Sequence, residues 1–429
     1  MGEYMSQQPF RIGIVGGGIT GLYCALAIHH HCTKAGVSLK IDVYEQAAAY
    51  KDIGAGISLR PDAAQLVYNV GLKDKLDAIS GRGDQMLYRR FDDGGEIVSI
   101  PMSREGAVKP AVCARSELLE VLKDGIESRG AATLHTGMAC RGVDDLGDGV
   151  RVHFADSTTA EADLLIGSDG IHSQVRRQFV SDNATFSGFI AYRGVIPMNS
   201  LPPWPLQSYS AAWLAKHRHF LTFSISRNES LNIVAFVTKE ESQVVHTKES
   251  WTSTCPRSEV EKDFAGFCEI VQDIIKLMPE EVSRWRINDH ERLDRWHYFG
   301  GKVLLLGDAA HAMTPHLGAG GSVGVADGWA LGRALSEYLS GSNPALTTLG
   351  DVAELYQAAR LPSAHRTQAA SRANGDNVEM QTPELIDKDY DECCAILGEG
   401  IRRRLNMSHS DDTDTLYEEA SEAMANGGN

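Results

Sequence analysis

Six residues near the start of the chain have the glycine spacing of a phosphate-binding turn. The segment reads GGGITG, and it follows a short apolar run and precedes a helical stretch. In such a turn Gly16 permits the tight bend, Gly18 lets the backbone approach a pyrophosphate, and Gly21 allows the helix to pack closely. The N-terminus of that helix offers free N–H groups and a partial positive charge to the phosphates. The segment therefore predicts a nucleotide-binding turn.

An acidic residue stands where the ribose of such a nucleotide is expected. A second strand-like run, Lys40 to Tyr44, ends at Glu45, whose carboxylate can accept hydrogen bonds from both ribose hydroxyls. The turn, the flanking strands and the acid together predict the β-α-β unit that opens a Rossmann-type domain. By themselves these features leave both FAD and NAD open as the bound dinucleotide.

A second glycine-rich segment favours FAD. Residues 302–311 read KVLLLGDAAH, and residues 313–321 read MTPHLGAGG. The apolar strand would deliver Asp308 at its end, where a carboxylate can accept hydrogen bonds from a ribityl chain. The glycine turn, which includes Gly320 and Gly321, would then start another helix. Its N–H groups can face the N1–C2=O edge of a flavin and stabilise the reduced anion.

The elements that must position these motifs indicate one α/β domain interrupted by another. Residues 10–180 and 301–373 alternate strands and helices and carry the motifs, so we predict that they form a Rossmann-type FAD-binding domain. Residues 181–300 contain longer strand-like segments, which predict an inserted substrate domain built on an antiparallel sheet. Residues 374–429 are predicted to form a C-terminal helical tail.

Composition narrows the classes of partner. The chain has 41 Lys and Arg against 57 Asp and Glu, a formal net charge of -16, which disfavours nucleic acid and anionic membrane surfaces. No apolar run approaches the roughly 20 residues that span a bilayer, so we expect no stable membrane association. The eight cysteines contain no spaced CxxC pair, which favours reduced, mostly buried thiols in a cytoplasmic protein. No metal site is predicted, because the histidines at 29–31 lack other ligands at matching spacing.

Four ordered motifs over roughly residues 10 to 370 resemble the class A flavoprotein aromatic hydroxylases. The closest resemblance is to the salicylate-hydroxylase-like branch, which includes fungal enzymes that hydroxylate or dearomatise polyketide-derived phenols. Besides the two glycine turns, residues 162–176 (ADLLIGSDGIHSQVR) resemble the DG motif implicated in FAD and NAD(P)H binding. Arg115 to Leu118 resembles the RxxL segment whose arginine contacts the flavin.

This resemblance implies a set of cofactor contacts and a reaction. The FAD contacts it implies are Glu45, Arg115, Asp169, Asp308 and Gly321, with the segment containing Gly56 lying along the cofactor and Pro315 against the flavin ring. NAD(P)H has no separate nucleotide fold in this family and reduces the flavin transiently. O2 then gives a flavin C4a-hydroperoxide, whose terminal oxygen is transferred to an electron-rich ring carbon.

The substrate residues implied by the resemblance begin with Arg193, in the strand FIAYRGVIP. In dearomatising relatives this arginine is proposed to pair with a substrate phenolate, and a guanidinium would lower the phenol pKa. The alternative is a surface ion pair. Where relatives often read Tyr-Pro, this chain has Phe223 and Ser224, so a phenolate-anchoring tyrosine is missing there.

Several rings allow two interpretations. His219 is a candidate pocket residue or a satisfied sheet histidine, while Tyr192 and Trp213 line a pocket or pack in the core. His311 and His316 flank the part of the second glycine-rich segment that is predicted to lie against the flavin, which we call the flavin loop. We interpret them as structural or flavin-edge groups rather than acid-base catalysts.

The expected function is hydroxylation of a small phenolic substrate by an FAD-dependent monooxygenase that uses NAD(P)H and O2. An epoxidase of the same fold and a non-catalytic nucleotide-binding protein remain alternatives. A flavin halogenase is disfavoured, because no WxWxIP-type segment occurs. The sequence distinguishes neither monomer from homodimer nor NADH from NADPH, and it leaves open the substrate and whether its ring loses aromaticity.

Overall fold

A computed structural model describes residues 9–50, 56–81, 83, 85–102, 106–244, 253–407 and 412–427, with the side chains of 404–407 excluded. Within these residues two large sheets are present, one of six strands and one of eight, together with two smaller sheets. Helices cover the six-stranded sheet and part of the eight-stranded sheet. The molecule is therefore a mixed α/β protein with two sheet layers.

The strands are numbered in chain order. They are β1 (Phe10–Val15), β2 (Leu39–Glu45), β3 (Gly56–Leu59), β4 (Gln85–Arg90), β5 (Glu96–Pro101), β6 (Ala111–Ala114), β7 (Thr133–Thr136), β8 (Cys140–Asp145), β9 (Val150–Phe154), β10 (Thr159–Ala162), β11 (Leu164–Gly167), β12 (Thr185–Pro197), β13 (Ala211–Ala215), β14 (Arg218–Ile225), β15 (Ser230–Thr238), β16 (Thr254–Pro256), β17 (Glu281–Asp289), β18 (His297–Tyr298) and β19 (Val303–Leu305).

The helices are numbered in the same way. They are α1 (Ile19–Lys34), α2 (Pro61–Val67), α3 (Lys73–Ile79), α4 (Arg115–Arg129), α5 (Gln174–Arg177), α6 (Glu241–Val244), α7 (Arg257–Asp263), α8 (Glu269–Leu277), α9 (Asp308–His311), α10 (Gly320–Ser340), α11 (Leu349–Val378), α12 (Tyr390–Met407) and α13 (Thr413–Gly427). A π-type turn, Tyr68–Leu72, joins α2 to α3, and short 3-10 turns include Pro315–Leu317.

The six-stranded sheet has the order β18-β19-β11-β1-β2-β7, and four of its five strand pairs are parallel. β1 pairs in parallel with both β2 and β11, and β11 pairs in parallel with β19. Both strands that end at a predicted motif, β1 and β19, therefore deliver their carboxyl ends to the same edge of the sheet. The core strands are apolar because they are covered on both faces.

The two motif helices pack against each other behind this edge. Gly328 and Gly332 of α10 face α1 so closely that an added Cβ would lie 2.9 Å from backbone atoms of Cys24 and Ala27, respectively. The absence of side chains at these positions lets the helices approach. The starts of α1 and α10 are therefore held together as one unit.

The eight-stranded sheet has the order β16-β17-β12-β15-β14-β13-β4-β5 and is antiparallel except between β13 and β4. The predicted fold class, a Rossmann-type FAD-binding domain with an inserted antiparallel sheet and C-terminal helices, is confirmed. The division of the chain at residues 180, 300 and 373 stays a prediction. The pairing shows that β4 and β5, which precede residue 181, also belong to this sheet.

The C-terminal helices attach to both layers. Cys393 and Leu397 of α12 pack in an apolar cluster with Ala212 and Leu214 of the eight-stranded sheet. On the other layer, Tyr417 of α13 belongs to the core of the FAD-binding domain. In the described part of the chain no helix combines the length and apolar character needed to cross a bilayer.

Candidate active site

The first glycine turn is shaped by two contacts that only glycine permits. Gly16 has a φ of 106°, and a Cβ added there would lie 2.3 Å from the carbonyl oxygen of Ser168. A Cβ at Gly21 would lie 2.0 Å from the carbonyl oxygen of Gly16. The two glycines therefore fix the bend and bring α1 against it.

Gly18 differs from its neighbours, because the space beside it is open. Among the described residues, the nearest atom to a Cβ added there is Nη2 of Arg115, at 4.0 Å. Arg115 is the first residue of α4, so a cation predicted from a separate motif lies beside the glycine predicted to face a pyrophosphate. Spacing along the chain does not indicate this proximity.

Glu45 lies at the end of β2 and closes onto the same turn. Its Oε2 accepts a hydrogen bond from the N–H of Gly17 at 2.8 Å, and its Oε1 accepts one from the N–H of Ala47 at 2.8 Å. Each carboxylate oxygen retains a second lone pair. The role of Glu45 as a ribose ligand stays a prediction, and the geometry leaves acceptor capacity for it.

The second turn places Asp308 at the start of α9, directly after β19. Its side chain is exposed to water. The surrounding protein nevertheless raises the pKa of the carboxyl by desolvation, and the positive charges of His311, Arg115 and His290 partly oppose this rise. Both conditions hold at the wall of a deep cleft. A Cβ added to Gly320 would lie 3.9 Å from Oδ1 of Asp308 and would meet no closer described atom.

We call the space bordered by Gly18, Arg115, Asp308 and Gly320 the cofactor cleft. Two glycine backbones face it without obstruction, one cation lies beside the first turn, and one carboxylate lies beside the second. A dinucleotide carrying a pyrophosphate and a hydroxylated chain needs this donor and acceptor set. The residues present therefore fit FAD.

A buried ionic network supports Asp308 from behind. Asp327 of α10 is fully buried, and its Oδ2 accepts hydrogen bonds from Nε2 of His311 at 2.6 Å and from the N–H of Gly307 at 3.1 Å. Its Oδ1 accepts one from Nε of Arg360 at 3.0 Å. Burial alone would raise the pKa of the Asp327 carboxyl, but these partners hold it below its usual value. This hydrogen bond gives His311 a structural role, which is one of the two interpretations that the sequence left open.

The DG motif holds the same segment from the other side. Arg176 is 2% exposed, and its Nη1 donates to the carbonyl oxygens of Ala309 and Ala310 at 3.1 Å each. Asp169 accepts hydrogen bonds from the N–H groups of Gln174 at 2.6 Å and Val175 at 3.3 Å, and burial raises the pKa of its carboxyl. The contact between Asp169 and the cofactor stays a prediction. In the structure the Asp169 carboxylate caps the N-terminus of α5.

The loop Pro315–Leu317 contacts one side of the eight-stranded sheet, which we call the loop face. The His316 ring lies 4.4 Å from the Phe189 ring and 4.8 Å from the Phe236 ring, measured between centroids. The loop is also tied to α11, because Nδ2 of Asn374 donates to the carbonyl oxygen of His316 at 2.9 Å. Burial, reinforced by His219 and Arg372, lowers the pKa of His316 well below its usual value, so its imidazole is neutral.

Arg193 lies on the loop face, because it is four residues from Phe189 on the same strand and side chains alternate along a strand. It is half-buried, and its guanidinium carbon lies 3.8 Å from the centroid of the Trp285 ring. The structure thus brings Arg193 to the side of the sheet that meets the flavin loop, and its pairing with a substrate stays a prediction.

The remaining aromatic rings are either hydrogen-bonded within the protein or packed in its core. Nδ1 of His219 lies 2.9 Å from Oε1 of Glu379, a carboxylate with no exposed surface, which makes His219 a satisfied sheet histidine. Tyr192 and Trp213 belong to the core on the opposite side of the sheet. Of the Gly54–Ile57 segment, Gly54 and Ala55 lie outside the described residues, while Ile57 Cδ1 would lie 3.0 Å from a Cβ added to Gly321.

Sequence reasoning missed the partners supplied by α10, α11 and β15. Asp327 was visible as an acid inside an apolar helical run, which is a signal for a buried network. Glu379 and Asn232 had no local signal, because their partners come from distant segments of the chain.

Comparison with known proteins agrees with the fold and the cleft. Residues 10–371 match the family model described as an FAD binding domain. The chain therefore belongs to this FAD-binding family.

Relatives of characterised activity cover most of the chain. The 3-amino-4-hydroxybenzoate 2-monooxygenase PtmB3 of Streptomyces platensis is 30% identical over 386 residues, which cover 88% of this chain and 90% of the relative. A salicylate hydroxylase of Pseudomonas putida is 28% identical over 433 residues, covering 96% of this chain and 94% of the relative.

Solved structures share the fold. A salicylate hydroxylase substrate complex has a TM-score of 0.76 at 24% identity and covers 97% of this chain and 98% of its own. HpxO of Klebsiella pneumoniae, complexed with FAD and uric acid, has a TM-score of 0.74 at 23% identity and covers 95% and 96%. The predicted relationship to the salicylate-hydroxylase-like enzymes is confirmed, and the chain is an FAD-dependent monooxygenase of the aromatic-hydroxylase class.

Proposed function

We propose that the enzyme hydroxylates a small phenolic compound using NAD(P)H and O2. The observation that carries this proposal is Arg193, a half-buried cation stacked on Trp285 on the side of the sheet that meets the flavin loop. The relatives named above act on salicylate and on 3-amino-4-hydroxybenzoate, which are both hydroxylated aromatic rings.

Arg193 would orient and activate the substrate. A guanidinium held against an aromatic ring is partly desolvated, which strengthens its attraction for an oxyanion. Bringing it to a phenol lowers the phenol pKa, and the resulting phenolate raises the electron density of the ring. Stacking on Trp285 limits the directions from which the guanidinium can approach, so the oxygen of the substrate is fixed in place.

Other residues of the chain would bind the cofactor and exclude water. Gly18, Arg115 and Asp308 would hold its phosphates and hydroxylated chain, while Phe189 and Phe236 present apolar rings to the loop. Bound FAD would supply the redox chemistry, in which two electrons from NAD(P)H reduce O2 so that one oxygen atom enters the substrate and the other leaves as water. A dry, apolar wall favours transfer of that oxygen to the substrate over its loss to water.

The test is a substrate screen with product analysis. The purified holoenzyme is mixed with NADH or NADPH and with salicylate, 6-hydroxynicotinate or 3-amino-4-hydroxybenzoate, which relatives are named for. We expect at least one phenol to accelerate NAD(P)H oxidation and to gain one oxygen atom by mass spectrometry. A flavin-loaded protein that no hydroxylated aromatic stimulates would contradict the proposal.

We also propose a cytoplasmic location. All eight cysteines are buried free thiols, a state that a reducing compartment maintains. Localisation of a fluorescent fusion tests this directly.

A further inference from the structure

Asn232 lies where the eight-stranded sheet meets the segment along the cofactor cleft. It is 1% exposed, and its Oδ1 accepts a hydrogen bond from the N–H of Gly56 at 2.8 Å. This contact fixes which end of the amide is the acceptor. The opposite end, Nδ2, is buried and has no hydrogen-bond partner among the described residues.

The surroundings of Asn232 are tight on the side of Gly56. A Cβ added to Gly56 would lie 2.3 Å from Cε2 of Phe223 and 2.9 Å from Cγ of Asn232. Gly56 pairs with Ala114, whose neighbour in the chain is Arg115 of the cofactor cleft. Asn232 is therefore separated from a predicted cofactor ligand by only one strand.

The register also places Asn232 on the loop face. It is four residues from Phe236 on β15, and side chains spaced by four on a strand share a face. Val234, between them, pairs with Arg193. The amide therefore lies near both groups that the enzyme must hold, the cofactor and the substrate.

A buried N–H group without an acceptor carries a free-energy cost. A ligand oxygen placed beside Nδ2 would recover this cost, and the fixed amide would donate without first reorganising. We propose that Asn232 is a further binding residue, donating Nδ2–H to an acceptor oxygen of the ligand that fills the space between β3 and the loop face. This inference rests on the proposed function only where the oxygen belongs to the substrate; the other source is a carbonyl of the flavin ring.

Two substitutions with opposite expectations test the donor. Asn232→Asp keeps an acceptor for the Gly56 N–H but turns Nδ2 into a second oxygen, while Asn232→Leu removes both polar ends at similar size. The carboxylate of Asn232→Asp repels a ligand oxygen, whereas Asn232→Leu presents only an apolar side chain to it. We therefore expect ligand affinity to be highest in the wild type, lower in Asn232→Leu and lowest in Asn232→Asp. A role limited to holding Gly56 reverses the order of the two variants, with Asn232→Asp close to wild type and Asn232→Leu lowest in affinity.

Affinity is measured without turnover. Apoprotein at pH 8 is titrated with FAD by flavin fluorescence, and the oxidised holoprotein is then titrated with salicylate and with 6-hydroxynicotinate by the change in the flavin absorption. A rise of about 10-fold or more in the FAD dissociation constant of Asn232→Asp assigns the oxygen to the flavin. An unchanged FAD dissociation constant with a comparable loss of affinity for salicylate and 6-hydroxynicotinate assigns it to the substrate.

Thermal unfolding of each apoprotein separates binding from folding. Thr222→Val is the matched control, because Thr222 is fully buried in the neighbouring strand and its Oγ1 donates to the carbonyl oxygen of Tyr209. The control is expected to keep wild-type ligand affinities. If the aspartate variant fails to fold, the leucine variant keeps the proposal falsifiable, because wild-type affinities for FAD, salicylate and 6-hydroxynicotinate in Asn232→Leu overturn it.

Discussion

The two walls of the active site are specified in different ways. The wall around the first glycine turn is fixed by backbone sterics, since added Cβ atoms at Gly16 and Gly21 would lie 2.3 and 2.0 Å from carbonyl oxygens. The loop face is assembled from side chains on separate strands, with Arg193 stacked on Trp285 and His316 packed on Phe189. The predicted cofactor contacts are therefore encoded in local motifs, while the proposed substrate site depends on which side chains the sheet brings together.

The largest effect is expected from Gly21→Ala. The added Cβ would meet the carbonyl oxygen of Gly16, so the turn must distort before α1 can pack. We expect FAD affinity to fall more than about 100-fold, or the protein to lose its fold, as measured by flavin content and thermal unfolding. Gly142→Ala is the matched control, because its nearest contact would be an ordinary 3.6 Å from Gln178 Oε1.

Asp308→Ala should remove the cofactor while keeping the fold. The carboxylate faces the open cleft, so its loss removes ligand contacts and creates no buried cavity. We expect colourless protein with an FAD dissociation constant raised by about 100-fold, since hydrogen bonds to a charged group contribute about 1.5–3 kcal/mol each. A variant that purifies yellow, with one flavin per chain, would remove Asp308 from the cofactor site.

Substitution of Arg193 tests the loop face. We expect Arg193→Ala to bind FAD normally but to lose about 10-fold or more of its product per NAD(P)H consumed, because the substrate oxyanion loses its partner. Arg193→Lys should recover part of this yield, since the charge returns without the planar stacking group. Coupled yields equal to wild type in both variants would place Arg193 outside the substrate site.

The smallest expected effect is a pH dependence of the stability that comes from His316, which lies where its loop meets the eight-stranded sheet. Burial lowers the pKa of His316 in the folded protein, whereas the unfolded chain has a value of about 6.5. The unfolded state therefore binds the extra proton first, and stability falls as the pH drops below about 6.5, by at most about 1.4 kcal/mol per pH unit from this residue.

His316→Gln should remove that contribution. Unfolding in urea at pH 7.5 and pH 5.5 gives the difference, with the surface variant His153→Gln as control. Equal pH dependence in wild type and His316→Gln would show that the ring is not protonated on unfolding in this range.

The glycine turns and Asp308 could be predicted from the sequence because each lies within one short segment of the chain. Gly16, Gly18 and Gly21 lie within one turn, and Asp308 follows its strand directly, so spacing alone indicates their arrangement. Arg176 and Asp169 were recognised as a motif, but the carbonyl groups that Arg176 binds lie 133 and 134 residues away.

The loop face could be predicted only in part. Arg193 was identified by resemblance, but its stacking on Trp285 depends on the pairing of β12 with β17. Asn232 meets Gly56 across 176 residues of chain, and Glu379 meets His219 across 160. Such contacts have no periodicity or spacing that one sequence can show, because they follow from how the two sheets pack.

We infer that both glycine turns hold one FAD molecule. The most direct test is an absorbance titration of the apoprotein with FAD, repeated on Asp308→Ala and with ADP as a competitor for the first turn. We predict saturation at one FAD per chain, displacement by ADP, and loss of FAD binding but not of ADP binding in the variant. Failure to bind FAD, or an Asp308→Ala protein that binds it as wild type does, would contradict the account.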